Sequence, residues 1–158
     1  MFSQKPNVAI VGSTGAVGQA MVAILEQREF PVGTLYPLAS ERSAGKTVMF
    51  RNKAVLVKLL ESFDFSDVEI AFFSAGASVS AGHAARAVAS GCVVIDNTSQ
   101  FRNDPAIPLV VPEVNPSALS SHSGIIANPN CSTIQMVVAL KPIYDAVGIT
   151  RINVCTYQ

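Results

Sequence analysis

The stretch Pro6-Asn-Val-Ala-Ile-Val-Gly-Ser-Thr-Gly-Ala-Val-Gly18 decides the fold. Its first half, residues 6–11, is short, apolar and rich in branched side chains, the composition of a buried strand. Glycines at 12, 15 and 18 follow at once, and an amphipathic stretch, residues 19–28, reads as a helix. Strand, glycine turn, helix is the order of a dinucleotide-binding unit, with G-x-x-G-x-x-G as a variant of its fingerprint. In that reading the N–H groups of the turn and of the helix start hold a pyrophosphate. A purely structural tight turn is the competing reading; the position directly after the first strand favours the dinucleotide.

Further along, residues 34–39 read as a second strand that runs into Ser40-Glu-Arg-Ser-Ala-Gly45. In such folds an acid near this point takes a ribose 2′-hydroxyl, whereas an arginine accommodates a 2′-phosphate. Glu41 and Arg42 are both present, but Glu41 comes later than the usual ~20 residues after the first glycine. Arg42 flanked by Ser40 and Ser43 makes a phosphate cradle, so NADP is expected over NAD, with an ordinary solvated loop as the alternative. Residues 47–65 suggest small strands or a helical turn and carry no readable chemistry.

Residues 68–73 form a buried strand that ends in Ser74-Ala-Gly-Ala-Ser78 and a helical pattern over 79–90. This second small-residue turn lies at the carboxyl end of a strand, where open α/β sheets bind ligands, so Ser74, Ala75 and Gly76 are expected along the cofactor. His83, a lone histidine on that helix, reads as a surface or packing residue. The next strand, 92–95, delivers Asp96-Asn-Thr-Ser-Gln-Phe-Arg102, in which Asn97, Ser99 and Arg102 offer donors to an anion. A short strand over 109–111 and a helical turn over 115–120 precede one more strand, 124–127.

That strand reaches Asn128-Pro-Asn-Cys-Ser-Thr-Ile-Gln135. A cysteine opening a helix, here 132–147, meets unpaired N–H groups and the positive end of the helix dipole, which favour thiolate over thiol. Cys131 is therefore the candidate nucleophile; a small buried residue at a strand-to-helix corner is the alternative. Met136, Leu140, Ile143 and Val147 share one face of this helix, and Pro142 predicts a kink or break near Leu140. Residues 150–158 alternate like a half-buried strand and look like the opening of a second domain.

The totals agree with this plan. A chain of 158 residues buries one good core, and 49% hydrophobic against 14% charged residues suits a parallel sheet covered on both faces. No apolar run approaches the roughly 18 residues of a membrane span, and no leader-like N-terminus is present, so a cytoplasmic protein without membrane contact is expected. Eleven basic and eleven acidic residues, scattered, argue against nucleic acid. Cys92, Cys131 and Cys155 lack C-x-x-C spacing and suggest neither a disulfide framework nor a metal site.

Together, residues 12–18, Ser40-Glu-Arg-Ser-Ala-Gly45, Asn128-Pro-Asn-Cys-Ser-Thr133 and Thr156-Tyr-Gln158 closely resemble the bacterial aspartate-β-semialdehyde dehydrogenases, along the whole chain. Related acyl-phosphate reductases and glyceraldehyde-3-phosphate dehydrogenases have other residues around the cysteine. The resemblance implies a Rossmann-type doubly wound, mostly parallel sheet with helices on both faces, followed by the start of a second α/β domain. The implied division is 1–128 for NADP binding and 129–158 for the beginning of a catalytic and dimerisation domain. It implies reversible, NADP-dependent reduction of β-aspartyl phosphate to aspartate semialdehyde through a Cys131 thioester, in lysine, methionine and threonine biosynthesis. Gln158 then orients the substrate, and Arg102 binds the acyl phosphate or phosphate with Asn130 and Ser99 nearby. Gly12, Ser13, Thr14, Gly15, Ala16 and Val17 hold the pyrophosphate, Ser40, Arg42 and Ser43 the 2′-phosphate, and Ser74, Ala75 and Gly76 the rest of the cofactor. Family members continue for roughly as long again and carry the acid/base histidine there, so this chain is expected to be an incomplete fragment, inactive alone, of a homodimer or homotetramer. An NADP-binding module without turnover, or a related acyl-phosphate reductase, is the alternative.

Overall fold

The computed structural model describes residues 5–157. Its centre is β1 (Val8–Val11), whose four residues are all buried. The side chains alternate between two cores. Val8 and Ile10 pack with Val22 and Leu25 of α1 (Ala16–Gln27), while Ala9 and Val11 pack with Ala84 and Ala87 of α2 (Ala77–Ala89). A strand covered on both faces needs apolar side chains at every position, which is why residues 6–11 show no polar alternation.

The remaining elements are β2 (Leu35–Ala39), β3 (Thr47–Phe50), β4 (Lys53–Leu56), β5 (Lys58–Leu59), β6 (Ile70–Phe73), β7 (Val93–Asp96), β8 (Ile125–Ala127) and α3 (Cys131–Val147). A six-stranded sheet takes the order β5-β2-β1-β6-β7-β8, with every neighbouring pair parallel. The order reverses between β1 and β6, and the crevice beyond their carboxyl ends is where such sheets bind ligands. This is the expected doubly wound fold. Pro37, fully buried within β2, costs no ladder bond to β5, because β5 pairs only with Leu38 and Ala39.

The stretch 47–65 resolves into an antiparallel hairpin, β3 with β4, followed by the edge strand β5. Arg51 and Asn52 turn the hairpin with φ of 51° and 61°, as a two-residue loop of positive φ requires. The Arg51 guanidinium holds it down by donating to Val32 O at 3.0 Å and Phe30 O at 2.7 Å.

Several boundaries differ from expectation. α1 begins at Ala16, three residues before the predicted start, and α2 at Ala77, because small residues let each turn wind directly into helix. The strand expected over 109–111 is a single parallel bridge between Leu109 and Ala127. Residues 115–120 form the expected helical turn, a 3-10 helix over Pro116–Ser121. α3 runs unbroken through Pro142, without the break expected near Leu140; Lys141 and Asp145 bridge that turn at 2.6 Å. The strand expected over 150–158 is not formed: 151–157 are exposed and irregular, since no neighbouring strand offers a ladder. Gln158 lies outside the described residues. No helix among the described residues is long and apolar enough to cross a membrane.

Candidate functional site

At the crevice Gly12 adopts φ +88°, a conformation that disfavours any side chain, and a Cβ there would lie 3.1 Å from both Ala75 Cβ and Ser74 Oγ. Gly18 is buried one turn into α1, where a Cβ would collide with Gly12 O and stand 2.7 Å from Ser13 Cα. The two glycines thus bring the start of α1 down onto the end of β1 and the turn after β6 up against it. No side chain caps α1 at Gly15 or α2 at Gly76, so the first-turn N–H groups of two helices are left to an outside acceptor.

Two cavities occupy this edge of the sheet. The first, about 610 Å³, is lined by Gly12, Thr14 and Gly15, by Ser40 and Glu41 after β2, by Leu59, Leu60 and Glu61, and by Ser74, Ala75, Val79 and His83. Its length along the carboxyl ends of β2, β1 and β6, its two uncapped helix starts and its glycine floor fit a dinucleotide. Of the residues expected here, Ser13, Ala16, Val17, Arg42, Ser43 and Gly76 do not line it, though Val17 and Gly76 line the cavity beside it. Arg42 is exposed in the turn that closes through Ser43 N–H and Ala44 N–H on Ser40 O, each at 2.9 Å. Ser13 is fully buried, with its N–H 3.2 Å and its hydroxyl 3.3 Å from Leu38 O, so it ties the glycine turn to β2. His83, read from sequence as a surface or packing residue, forms part of the wall, with Nε2 3.5 Å from Glu61 Oε2.

The second cavity, about 400 Å³, adjoins the first through Ser74 and is lined also by Val17, Gly76, Ala77, Asn97, Thr98, Ser99, Arg102, Asn130 and Cys131. The starts of all three α-helices meet here: Val17 of α1, Ala77 of α2 and Cys131 of α3. Cys131 is exposed and is the first residue of α3. Asn130 caps that helix, its Oδ1 accepting from Ser132 N–H at 3.1 Å and Ser132 Oγ at 2.9 Å, and lying 3.5 Å from Cys131 Sγ. Arg102 is clamped by two carbonyls, Nε donating to Asn128 O at 3.0 Å and Nη2 to Asn97 O at 3.1 Å. Asn128 Nδ2 completes the clamp by donating to Asn97 Oδ1 at 2.6 Å. A guanidinium and three helix starts around one thiol form a site for an anionic electrophile.

Sequence reasoning did not assign Asp96, Ser80 or Thr98, which form a buried cluster behind this cavity. A carboxyl at the end of an otherwise apolar strand was the available signal. Among the described residues no group of three or more His, Cys, Asp or Glu is placed to hold a metal ion.

Comparison with known proteins agrees with this geometry. Residues 7–122 match the family model described as semialdehyde dehydrogenase, NAD binding domain. An aspartate-semialdehyde dehydrogenase 2 of Vibrio cholerae is 64% identical over 99% of this chain and 47% of its own length, and one from Shewanella violacea 61% identical over the same shares. The chain spans about half the length of the curated relatives it matches. The Vibrio cholerae aspartate semialdehyde dehydrogenase II complexed with ASA superposes with a TM-score of 0.90 at 63% identity, over 92% of this chain and 48% of that one. The Candida albicans enzyme with NADP gives 0.78 at 25% identity over the same shares. With a glycine turn, a doubly wound sheet and a family match over most of its length, this chain belongs to the semialdehyde dehydrogenase family.

Proposed function

We propose that the chain is the NADP-binding and nucleophile-bearing part of an aspartate-semialdehyde dehydrogenase. The observation that carries this reading is the cavity that places Cys131, at the start of α3, with Arg102 and the starts of α1 and α2, beside the dinucleotide groove. The names of the relatives support the aldehyde, aspartate semialdehyde, and the anion-binding Arg102 beside Cys131 is the reason for taking an acyl phosphate as its partner.

In the proposed reaction Cys131 Sγ attacks the acyl carbon of β-aspartyl phosphate. The carbon–oxygen bond to phosphate breaks, phosphate leaves, and a thioester remains on Cys131. Arg102, held by Asn97 O and Asn128 O, takes the phosphate charge, with Ser99 and Asn130 on the same wall. N–H groups at the start of α3 stabilise the oxyanion as the carbonyl carbon becomes tetrahedral. A reduced nicotinamide held in the groove would supply a hydride to the thioester carbon; the resulting thiohemiacetal anion on Cys131 collapses by breaking its carbon–sulfur bond, which frees the aldehyde and the Cys131 thiolate. Thr14, Ala16 and Val17 offer backbone N–H groups to the pyrophosphate; Gly12 and Gly15, whose N–H groups donate to Leu38 O at 2.9 Å and Gly12 O at 3.0 Å, give it room, and Ser13 holds their turn in place. Ser74, Ala75 and Gly76 floor the groove, and Ser40, Arg42 and Ser43 take the 2′-phosphate once Arg42 swings toward it. Gln158 orients the substrate. Residues 129–158 then open a catalytic domain, and the complete enzyme is a homodimer or homotetramer.

Two measurements test this. Incubation with β-aspartyl phosphate is expected to leave an aspartyl adduct on Cys131 by intact and peptide mass, absent in Cys131→Ala; NADP binding without any adduct would make the chain a nucleotide-binding module. Titration is expected to show tighter binding of NADP than of NAD, and Arg42→Ala to narrow that ratio about tenfold, the equivalent of ~1.4 kcal/mol for a charge-assisted contact. An unchanged ratio would remove Arg42 from the cofactor site.

A further inference from the structure

Asp96, at the carboxyl end of β7, is fully buried, and no cation is among its hydrogen-bond or ion-pair partners in the described residues. Its Oδ1 accepts from Ser80 Oγ at 2.7 Å and from Thr98 N–H at 3.3 Å, and its Oδ2 accepts from Thr98 Oγ1 at 2.8 Å. Ser80 is fully buried in the first turn of α2, and Thr98 is nearly so. A buried acid in contact with hydroxyls and one N–H keeps its place only if the neighbours it orders repay its desolvation.

Those neighbours lead by a chain of hydrogen bonds to the wall of the second cavity. Thr98 Oγ1, while donating to Asp96, accepts Gln100 N–H at 3.2 Å. Asp96 O accepts Asn128 N–H at 3.1 Å, and Asn97 N–H donates to Phe73 O at 2.9 Å. Asn97 O and Asn128 O are the two carbonyls that hold the Arg102 guanidinium. The Asp96 carboxylate thus joins the start of α2 to the loop 97–102, its main-chain carbonyl ties β7 to the end of β8, and Arg102 hangs from Asn97 and Asn128 on either side.

We propose that Asp96 is a positioning residue: through Ser80 and Thr98 it sets the loop 97–102, and thereby the placement of Arg102 toward an anion held at Cys131. This rests on the reading of Arg102 as the anion-binding group. The role is geometric, so the isosteric amide should fill it. In Asp96→Asn the retained oxygen still accepts from Ser80 and the Thr98 N–H. The new Nδ2 donates to Thr98 Oγ1, whose own hydrogen turns to Ser80 Oγ, 3.2 Å away. Alanine at 96, or Thr98→Val at equal volume, breaks the side-chain link between α2 and the loop.

The test compares two alkylating agents that differ in charge, iodoacetate and iodoacetamide, with their rates at Cys131 mapped by peptide mass. Arg102→Ala is expected to lower the iodoacetate-to-iodoacetamide rate ratio about tenfold, the scale of one nearby charge-assisted contact. Asp96→Ala and Thr98→Val are expected to lower it ~five- to tenfold with the iodoacetamide rate within ~twofold of the parent, and Asp96→Asn to keep the parent ratio. Cooperative urea unfolding identifies folded variants, and Thr98→Val decides the matter if Asp96→Ala does not fold. A parent-like ratio in folded Thr98→Val overturns the proposal; so does a loss in Asp96→Asn as large as in Asp96→Ala, which would make charge rather than geometry the agent. The ratio is read without substrate, so a missing aspartyl adduct alongside the expected ratios would count against the proposed reaction and leave the positioning role standing.

Discussion

The three cysteines carry the same functional group in three environments. Cys92 is 1% exposed, and burial, with the Glu69 charge as a smaller contribution, pushes its thiol up to about 12. Cys131 stands exposed at a helix start beside an uncapped groove, and Cys155 is exposed on an irregular segment with no helix N–H groups to favour an anion. Mass-mapped alkylation of the folded protein at neutral pH should therefore label Cys131 first, Cys155 more slowly and Cys92 only after unfolding. Labelling of Cys92 ahead of Cys131 would remove the case for a catalytic thiol. Cys92 also makes a pH prediction. Its folded value lies above that of the free thiol, ~8.5, so the folded state holds its proton longer, and the stability this confers is full below that value and lost as pH rises toward about 12. Cys92→Ala should show a shallower loss of stability across that alkaline window than the parent, measured by urea unfolding at stepped pH. An identical slope would mean that another group controls it. Cys92 was legible in sequence as a core residue, because it sits within an apolar strand. Asp96 was only half legible: its place at the end of an apolar strand marks it, but the partners Ser80 and Thr98 that make it a buried acceptor of three hydrogen bonds come from packing.

At the scale of elements, the glycine turn and α1 act as one unit. Gly18→Ala offers up to ~1 kcal/mol in helix propensity, but its Cβ meets backbone atoms of Gly12 and Ser13, which cannot move aside cheaply. Overpacking, at ~1–3 kcal/mol, wins, and the variant should lose both stability and NADP affinity. Chemical unfolding and cofactor titration check the two together, and a stabilised variant with normal affinity would show that the turn does not need this close approach. α3 behaves differently, since none of its residues is buried. Asn130→Ala, which removes the acceptor for Ser132 N–H, should cost ~0.5–2 kcal/mol locally. Hydrogen exchange is expected to show faster exchange confined to the first turn of α3, with the sheet amides unchanged; exchange spread over the whole chain would mean that α3 and the sheet unfold together. The early starts of α1 and α2 escaped sequence reading because Gly18 in α1 and Ser78 in α2 read locally as turn residues, and contact with the sheet outweighs that preference.

The whole molecule divides between a sheet with two covered faces and a C-terminal stretch that covers little. Ile143, Tyr144, Val147, Val154 and Tyr157 are exposed, Val147 by 80% and Tyr157 by 95%. Along α3 an apolar groove of about 420 Å³ runs between Val137, Leu140 and Tyr144 on one side and Ile149 and Ile152 on the other. Exposed apolar area on this scale favours association. Light scattering should show concentration-dependent self-association that Tyr144→Lys with Val147→Lys abolishes, whereas a monomer at all concentrations would mean that this face is innocuous. Deletion from Pro129 onward should leave the unfolding midpoint nearly unchanged, because the cores are built from residues 8 to 94. The order of elements was legible by itself: a continuous apolar run without polar alternation reads as a strand buried on both faces, and glycines at 12, 15 and 18 directly after it read as a turn into a helix. The placement of Cys131 was legible too, since a cysteine after Asn-Pro-Asn stands at a helix start by local rules alone. Tertiary structure decided the rest. Whether residues 150–157 form a strand depends on a neighbour for their ladder, and none is there among the described residues. Arg102 faces Cys131 because three parallel strands end level with one another. Backbone conformation and polarity are local and can be read along a chain, whereas the meeting of side chains distant in sequence is set by the packing of the whole sheet.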